Sequence, residues 1–102
     1  MRVKLAPRAR QRARAINTWW QKNRPGVEGL FEQEYAFVIG KLASMSPRSP
    51  LGKVHEERRG SAIWQVFLPK TQQHLYYSVN EATETVVVRM IWGARRGRVP
   101  KF

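Results

Sequence analysis

Cysteine and aspartate are both absent from the 102 residues of this chain. The first absence excludes disulfides, thiolate nucleophiles and cysteine-built zinc sites. The second excludes catalytic dyads and triads that use aspartate, and Walker-B and EF-hand metal sites as those motifs are usually written. Long apolar runs are also missing, and no apolar segment follows Arg2 and Lys4 at the N-terminus. We therefore expect no metal, no cofactor, no membrane association and no secretory signal, and a cytoplasmic protein.

Acidic residues are scarce. Seven glutamates oppose 19 lysines and arginines, and the formal net charge is +12 at pH 7. The positive charge is concentrated in the two ends of the chain, because residues 1–24 carry +8, residues 25–57 carry −2 and residues 58–102 carry +6. If the two ends meet in the fold, they form a positive face that would attract nucleic acid, an acidic protein or a membrane surface.

The N-terminal half predicts a strand and two helices in what we expect to be a single domain over residues 1–102. Alternating apolar and polar residues predict a strand within residues 1–6, and apolar residues at helical spacing predict a helical hairpin over residues 7–45. Arg24-Pro25-Gly26 separates the two helices. We expect Trp19 and Trp20 in the core. Phe37 is expected to widen the buried stripe of the second helix, and Gly40 to allow close packing of the two helices.

The C-terminal half predicts a sheet. Residues 46–60 have two prolines, two glycines and little periodicity, which is typical of a loop. Three stretches rich in β-branched and aromatic residues follow at hairpin spacing and predict a three-stranded meander over residues 61–92. Residues 93–102 form a basic tail that is expected to leave the sheet. The expected fold class is α+β with two layers, in which the first strand and the helical hairpin pack on a mainly antiparallel sheet of three or four strands.

The order of these elements resembles that of the small toxins of the RelE/ParE superfamily, which bacteria encode with an antitoxin in type II toxin–antitoxin pairs. Local patterns also resemble the superfamily: Trp19-Trp20 before Arg24-Pro25, Leu30-Phe31 with Glu34, Leu42 before Pro47 and Gly52, the Tyr76-Tyr77 strand, and the exit Trp92-Gly93-Ala94-Arg95-Arg96-Gly97. The resemblance covers nearly the whole chain and is greater to the ParE or plasmid-stabilisation branch. It implies a growth-inhibiting toxin that forms a hetero-oligomer with a cognate antitoxin.

The superfamily contains two modes of action. ParE-like members act on DNA gyrase, whereas RelE-like members cut mRNA in the ribosome and place a tyrosine or histidine near the C-terminus. The last predicted strand and the tail of this chain contain neither. Arginine holds a phosphate well but is a poor base, and neither His55 nor His74 matches the catalytic position of the family. We therefore expect a ParE-like inhibitor of gyrase that is not an enzyme. A RelE-like ribosome-dependent endoribonuclease is the alternative, and a basic nucleic-acid-binding domain is the second alternative.

The candidate residues for binding the target or the antitoxin are eight arginines and one tryptophan: Arg8, Arg12, Arg58, Arg59, Arg89, Trp92, Arg95, Arg96 and Arg98. In a nuclease, Arg89, Arg95 and Arg96 would hold the phosphate. Alternation along the last strand predicts that Arg89 shares a face with Thr85, Val87 and Ile91, and that at most one of the neighbours Tyr76 and Tyr77 belongs to the core. We expect the acidic antitoxin to dock in a groove beside the helical hairpin.

Overall fold

The computed structural model describes residues 1–96, 98 and 100–102, except for the side chain of Arg58. The elements in these residues are β1 (Arg2–Leu5), α1 (Pro7–Asn23), α2 (Leu30–Ser44), β2 (Lys53–Arg58), β3 (Ser61–Leu68), β4 (Gln73–Asn80) and β5 (Thr85–Gly93). The strands form one sheet in the order β1-β5-β4-β3-β2, which is antiparallel except for the parallel pair of β1 and β5. The expected α+β architecture is confirmed, with five strands in the described residues in place of three or four.

Helix α1 forms as the sequence predicts. Pro7 begins it, and the fixed φ of proline suits the first helical turn even though Ala6 makes no side-chain capping hydrogen bond. Ala9 and Ile16 are buried against the sheet, and Trp20 packs against the same core. Trp19 is 47% exposed, so the expectation that both tryptophans belong to the core is wrong.

Helix α2 buries one face only. It begins at Leu30, and Val27 before it is exposed. Its buried residues are Phe31, Glu34, Val38 and Leu42. Phe37 is 64% exposed, and no atom of the described residues lies within 4 Å of a Cβ placed on Gly40. The wider buried stripe and the close helix–helix contact at Gly40 are therefore both wrong, because the opposite face of α2 is turned to solvent.

Strand β2 lies inside residues 46–60, so the expectation of a loop over that whole stretch is wrong. Among the described residues it is an edge strand that pairs only with β3. Edge strands commonly carry charged side chains, and the charges of β2 give it the composition of a loop. The chain enters β2 through Gly52, which has a φ of +80° and lies where a Cβ would be 2.0 Å from the carbonyl oxygen of Gln65.

The main core fills the space between the helices and one face of the sheet. The sheet contributes Leu68, Leu75, Tyr77, Val86, Val88 and Ile91 to it. Glu34 of α2 is also buried and fixes the turn between β3 and β4. Its carboxylate accepts hydrogen bonds from the backbone N–H groups of Lys70 (2.7 Å) and Thr71 (3.0 Å), and from the Thr71 hydroxyl (2.6 Å). This turn and the end of β5 lie at the same end of the sheet, since Gln73 pairs with Gly93.

Candidate functional site

The face of the sheet that points away from the helices, which we call the open face, carries a second apolar cluster. Its buried members are Ile63, Tyr76 and Met90, and Trp92 and Phe102 pack against them. Tyr76 and Tyr77 lie on opposite faces as alternation requires, yet they are only 3% and 0% exposed. The expectation that at most one belongs to the core is therefore wrong, because the C-terminal residue Phe102 covers Tyr76.

A bulge in β2 places His55 on the open face. Val54 pairs with Trp64 and Glu56 pairs with Ile63, which leaves His55 as the extra residue. A bulge of this kind redirects a side chain locally. The His55 ring consequently lies 4.8 Å from the Tyr76 ring and 5.9 Å from the Phe102 ring, measured between centroids.

A second bulge lies in β5. Val88 pairs with Tyr77 and Met90 pairs with Tyr76, so Arg89 is the extra residue of that strand. The bulge reverses the alternation of the residues that follow it. Ile91 therefore belongs to the main core with Val88, and the expectation that it shares a face with Arg89 is wrong. Arg89 itself is exposed.

His74 lies on the open face beside the same tyrosine. Its ring centroid is 6.2 Å from that of Tyr76 and 5.2 Å from that of Phe67. His74 and His55 therefore both lie beside Tyr76, and the fold brings together two histidines that are 19 positions apart in the sequence. The two-residue spacing of His74 and Tyr76 within one strand is the sequence signal that could have found half of this cluster. The bulge that adds His55 has no such signal.

The protonation states of this cluster follow from its surroundings. Burial lowers the pKa of His74 below its usual value of 6.5, and the charges of Lys53 and His55 lower it further. The Nδ1 atom of His74 is buried and has no hydrogen-bond partner among the described residues. Burial raises the pKa of the Tyr76 phenol above its usual value. At neutral pH the open face therefore holds a neutral imidazole that can accept a proton and, beside it, a phenol that keeps its own.

Trp92 extends the site along the open face, because it pairs with His74 across the two strands. Three guanidinium groups lie near its ring, at 4.4 Å for Arg96, 5.8 Å for Arg98 and 5.9 Å for Arg12. The indole Nε1 donates a hydrogen bond to the carbonyl oxygen of Arg98 (2.9 Å). Cations crowded in this way repel one another, and a bound anion would relieve the repulsion.

Arg12 occupies the edge of β5 that β1 leaves free. Strand β1 pairs with β5 only as far as Val88, and the Nε of Arg12 donates to the carbonyl oxygen of Ile91 beyond that point (3.4 Å). Burial lowers the pKa of Arg12, and the charge of Arg96 lowers it further. Arg8, one turn earlier in α1, donates from Nη1 to the carbonyl oxygen of Lys101 (3.2 Å). The two basic ends of the chain therefore meet at this edge.

The structure separates the remaining candidates into two places. Arg95 is exposed and lies with Arg96 just after β5, near the residues around Trp92. Arg58 and Arg59 lie at the turn between β2 and β3, at the opposite end of the sheet. The side chain of Arg58 and the tail residues Gly97 and Val99 lie outside the described residues. The part of the tail that is described leaves β5 after Gly93 and returns to the open face at Phe102.

A depression of about 530 Å³ lies between α2 and β3. Its lining includes Leu30, Phe37, Val66 and Phe67, and it is flanked by Lys41 and Lys70. The Lys41 Nζ lies 5.0 Å from the centroid of the Phe37 ring. This groove beside one helix of the hairpin is mainly apolar, and its lining also includes Gln33 and the buried Glu34.

The described residues contain no cluster of histidine and glutamate side chains that could hold a metal ion. Within that same part of the chain, neither helix is both long and apolar enough to cross a membrane.

A search of solved structures matches this chain to the isolated RelE toxin of E. coli, with a TM-score of 0.57 over 95% of this chain and 87% of that chain. The fold is that of RelE. The two sequences are 21% identical, so the likeness to RelE concerns the fold. No family model and no curated protein matches the chain in sequence.

Proposed function

We propose that the protein is the toxin of a type II toxin–antitoxin pair and that it cleaves mRNA on the open face. The observation that carries this proposal is the meeting of His55 and His74 around Tyr76, beside the cations near Trp92. The RelE fold and the resemblance of the local sequence patterns to the RelE/ParE superfamily support the toxin assignment. The histidine cluster supports the ribonuclease activity.

Cleavage of RNA by attack of a 2′-hydroxyl on the adjacent phosphate needs three groups. A base takes the hydroxyl proton, an acid gives a proton to the leaving 5′-oxygen, and cations stabilise the charge on the phosphorane. His74 is the candidate base, because its lowered pKa keeps the imidazole neutral. His55 is the candidate acid, and Tyr76 positions it through the ring contact. Lys53, whose charge acts on His74, and Arg96, which lies beside Trp92, are the candidate phosphate ligands.

Gyrase inhibition is the alternative because β5 and the tail lack a residue suited to proton transfer. Neither contains the tyrosine or histidine that RelE-like ribonucleases place there, and an inhibitor needs only a docking surface. The histidines of β2 and β4 supply the missing proton-transfer groups from elsewhere in the fold, and for this reason we favour the ribonuclease. Inhibition of gyrase-catalysed supercoiling by micromolar protein, without any RNA cleavage, would favour the alternative.

The antitoxin is the proposed partner in both cases. The groove between α2 and β3 suits an amphipathic acidic segment, since its lining is mainly apolar, Lys41 and Lys70 flank it, and the Glu34 carboxylate in its lining is hydrogen-bonded to Lys70 and Thr71. We expect a small acidic protein to be encoded next to this toxin. Phe37→Ala should weaken that complex at least about tenfold, as is usual for a central aromatic contact. Val27→Ala removes an exposed apolar side chain outside the groove and should leave the affinity unchanged.

Growth provides the test of the toxin assignment. Induced expression of the chain should arrest a bacterial culture, and co-expression of the neighbouring acidic protein should restore growth. RNA from arrested cells should show new 5′ ends inside coding regions. Normal growth at an expression level confirmed by blotting would contradict the proposal.

A further inference from the structure

We propose that a second site binds single-stranded nucleic acid: the groove between α1 and the turn that joins β3 to β4, which we call the basic groove. One base would stack on Trp19, and Arg24 and Lys70 would hold the adjoining phosphates. The groove has a volume of about 710 Å³, which is within the range of about 300–1,000 Å³ that is usual for ligand sites. It is distinct from the histidine cluster on the open face.

The charge of the basic groove selects an anion. Five cations line it: Arg12, Arg24, Lys70, Arg95 and Arg96. No acidic side chain of the described residues is part of its lining. Cations gathered along one concave surface raise the local concentration of phosphates and release counterions when a nucleic acid binds.

The aromatic wall of the basic groove selects a nucleobase. Trp19 is 47% exposed, although burial of an indole is strongly favourable in a folded domain. The Trp20 ring meets it edge to face at 5.8 Å, and the Arg24 guanidinium lies 5.2 Å from its ring centroid. An exposed, braced indole beside arginine is the arrangement on which single-stranded nucleic acids stack. An acidic peptide would use the cations but has no need of the indole, so the observations favour nucleic acid.

Gln73 adds a polar atom that lacks a hydrogen-bond partner. It lines the basic groove, and its Oε1 is buried with no hydrogen-bond partner among the described residues. The amino group of a base or a ribose hydroxyl is the donor that this oxygen lacks. Buried acceptors of this kind are usually paired, which is a second indication of a missing ligand.

The basic groove adjoins the open face through two shared arginines. Arg12 and Arg96 line the groove, and both guanidinium groups also lie within 6 Å of the Trp92 ring. A strand cut at His74, which pairs with Trp92, would therefore continue past these arginines into the groove. That the strand is RNA rests on the proposed function, whereas the binding itself needs no cleavage.

The test measures binding without chemistry. The probe is a labelled single-stranded RNA of about 12 nucleotides, near the site sizes of known single-strand binders, with 2′-O-methyl groups that remove the nucleophile. Its dissociation constant is measured by fluorescence anisotropy between about 50 and 200 mM salt. Trp19→Ala should weaken binding about fivefold or more at every salt concentration, because a stacking contact is lost. Arg24→Gln should weaken binding and reduce the slope of log K against log salt by about 0.7, the value for one phosphate contact on a single strand.

The matched control is Arg14→Gln, which makes the same charge change at an exposed position of α1 outside the groove. It should leave the salt slope unchanged. Circular dichroism confirms that each variant is folded. Wild-type affinity in both Trp19→Ala and Arg24→Gln would overturn the proposal. If the two variants lose affinity for a polyglutamate peptide but keep it for the RNA, the proposal is likewise overturned and the groove is a site for an acidic peptide.

The same variants separate this inference from the ribonuclease activity. Binding that responds to Trp19→Ala and Arg24→Gln in a protein that cuts no RNA would uphold the basic groove and refute the ribonuclease. Cleavage by a protein whose RNA affinity is unchanged by both substitutions would uphold the ribonuclease and refute the basic groove.

Discussion

The ring of His55 contacts the ring of Tyr76 at 4.8 Å although the strands that carry them, β2 and β4, are not neighbours in the sheet. Strand β3 lies between them, and two strand spacings amount to about 10 Å. The bulge at His55 and the length of the two side chains close this distance across β3, whose Ile63 lies in the same apolar cluster as Tyr76. An irregularity of the edge strand thus places an imidazole against the open face, beside His74.

Substitution of His55 tests the proton-transfer role directly. His55→Ala should lower the rate of RNA cleavage by about 10²–10⁴-fold, the usual contribution of a general acid or base. Tyr76→Phe keeps the ring that positions His55 and should lower the rate much less. Primer extension on a defined transcript measures both rates. Equal losses in the two variants would show that the Tyr76 hydroxyl matters to the rate as much as the His55 imidazole, which would contradict the positioning role given to Tyr76.

The free energy of unfolding should depend on pH through His74. Its pKa is lowered in the folded protein, so below about pH 6.5 the unfolded chain binds more protons than the folded one. The stabilisation is therefore fully present above pH 6.5 and is lost as the pH falls through the lowered pKa. Urea unfolding of wild type and His74→Gln at pH 7.5 and pH 5 measures the effect, and the decline on acidification should be smaller in the variant. An identical decline in both proteins would assign it to other groups.

Removal of the Glu34 carboxylate should loosen the turn between β3 and β4. Glu34→Ala leaves the N–H groups of Lys70 and Thr71 and the Thr71 hydroxyl without their acceptor. It should lower the free energy of unfolding by at least about 2 kcal/mol, since hydrogen bonds to charged groups contribute about 1.5–3 kcal/mol each. Glu32→Ala, at an exposed position on the same helix, is the control and should stay within about 0.5 kcal/mol of wild type. Urea titrations report both, and similar values for the two variants would contradict the role given to Glu34.

Substitution by alanine should change the free energy of unfolding in opposite directions at two glycines. Gly40 lies in α2 with open space around it, so Gly40→Ala should raise the free energy of unfolding by about 0.5–1 kcal/mol through helix propensity. Gly52 has a positive φ, and a Cβ there would collide with the backbone of Gln65. Gly52→Ala should lower the free energy of unfolding by about 2 kcal/mol or more. Thermal melts compare the pair, and a tolerated Gly52→Ala would contradict the entry to β2 described above.

The periodicity of the sequence predicts the regular elements but not the irregular ones. Helix α1 and strands β3, β4 and β5 follow from spacing and β-propensity, because their apolar faces meet one core. Strand β2 is missed, because its pairing with β3 comes from the backbone and its side chains are charged.

The candidate site is less accessible to sequence reasoning than the fold. The sequence predicts the arginines near Trp92 as candidate binding residues, because clusters of charge can be recognised along the chain. It does not predict the cluster of His55, His74 and Tyr76, because that cluster depends on a bulge and on contacts between strands that are far apart in the sequence. Local patterns do not specify either of these.

Cleavage of a defined mRNA in a translating extract tests the central claim most directly. The wild-type protein should produce new 5′ ends within the coding region, and the double variant His55→Ala/His74→Ala should produce them at least about 10²-fold more slowly while remaining folded. An intact transcript in the presence of the wild-type protein, or cleavage by the double variant at the wild-type rate, would contradict the assignment of the open face as a ribonuclease site.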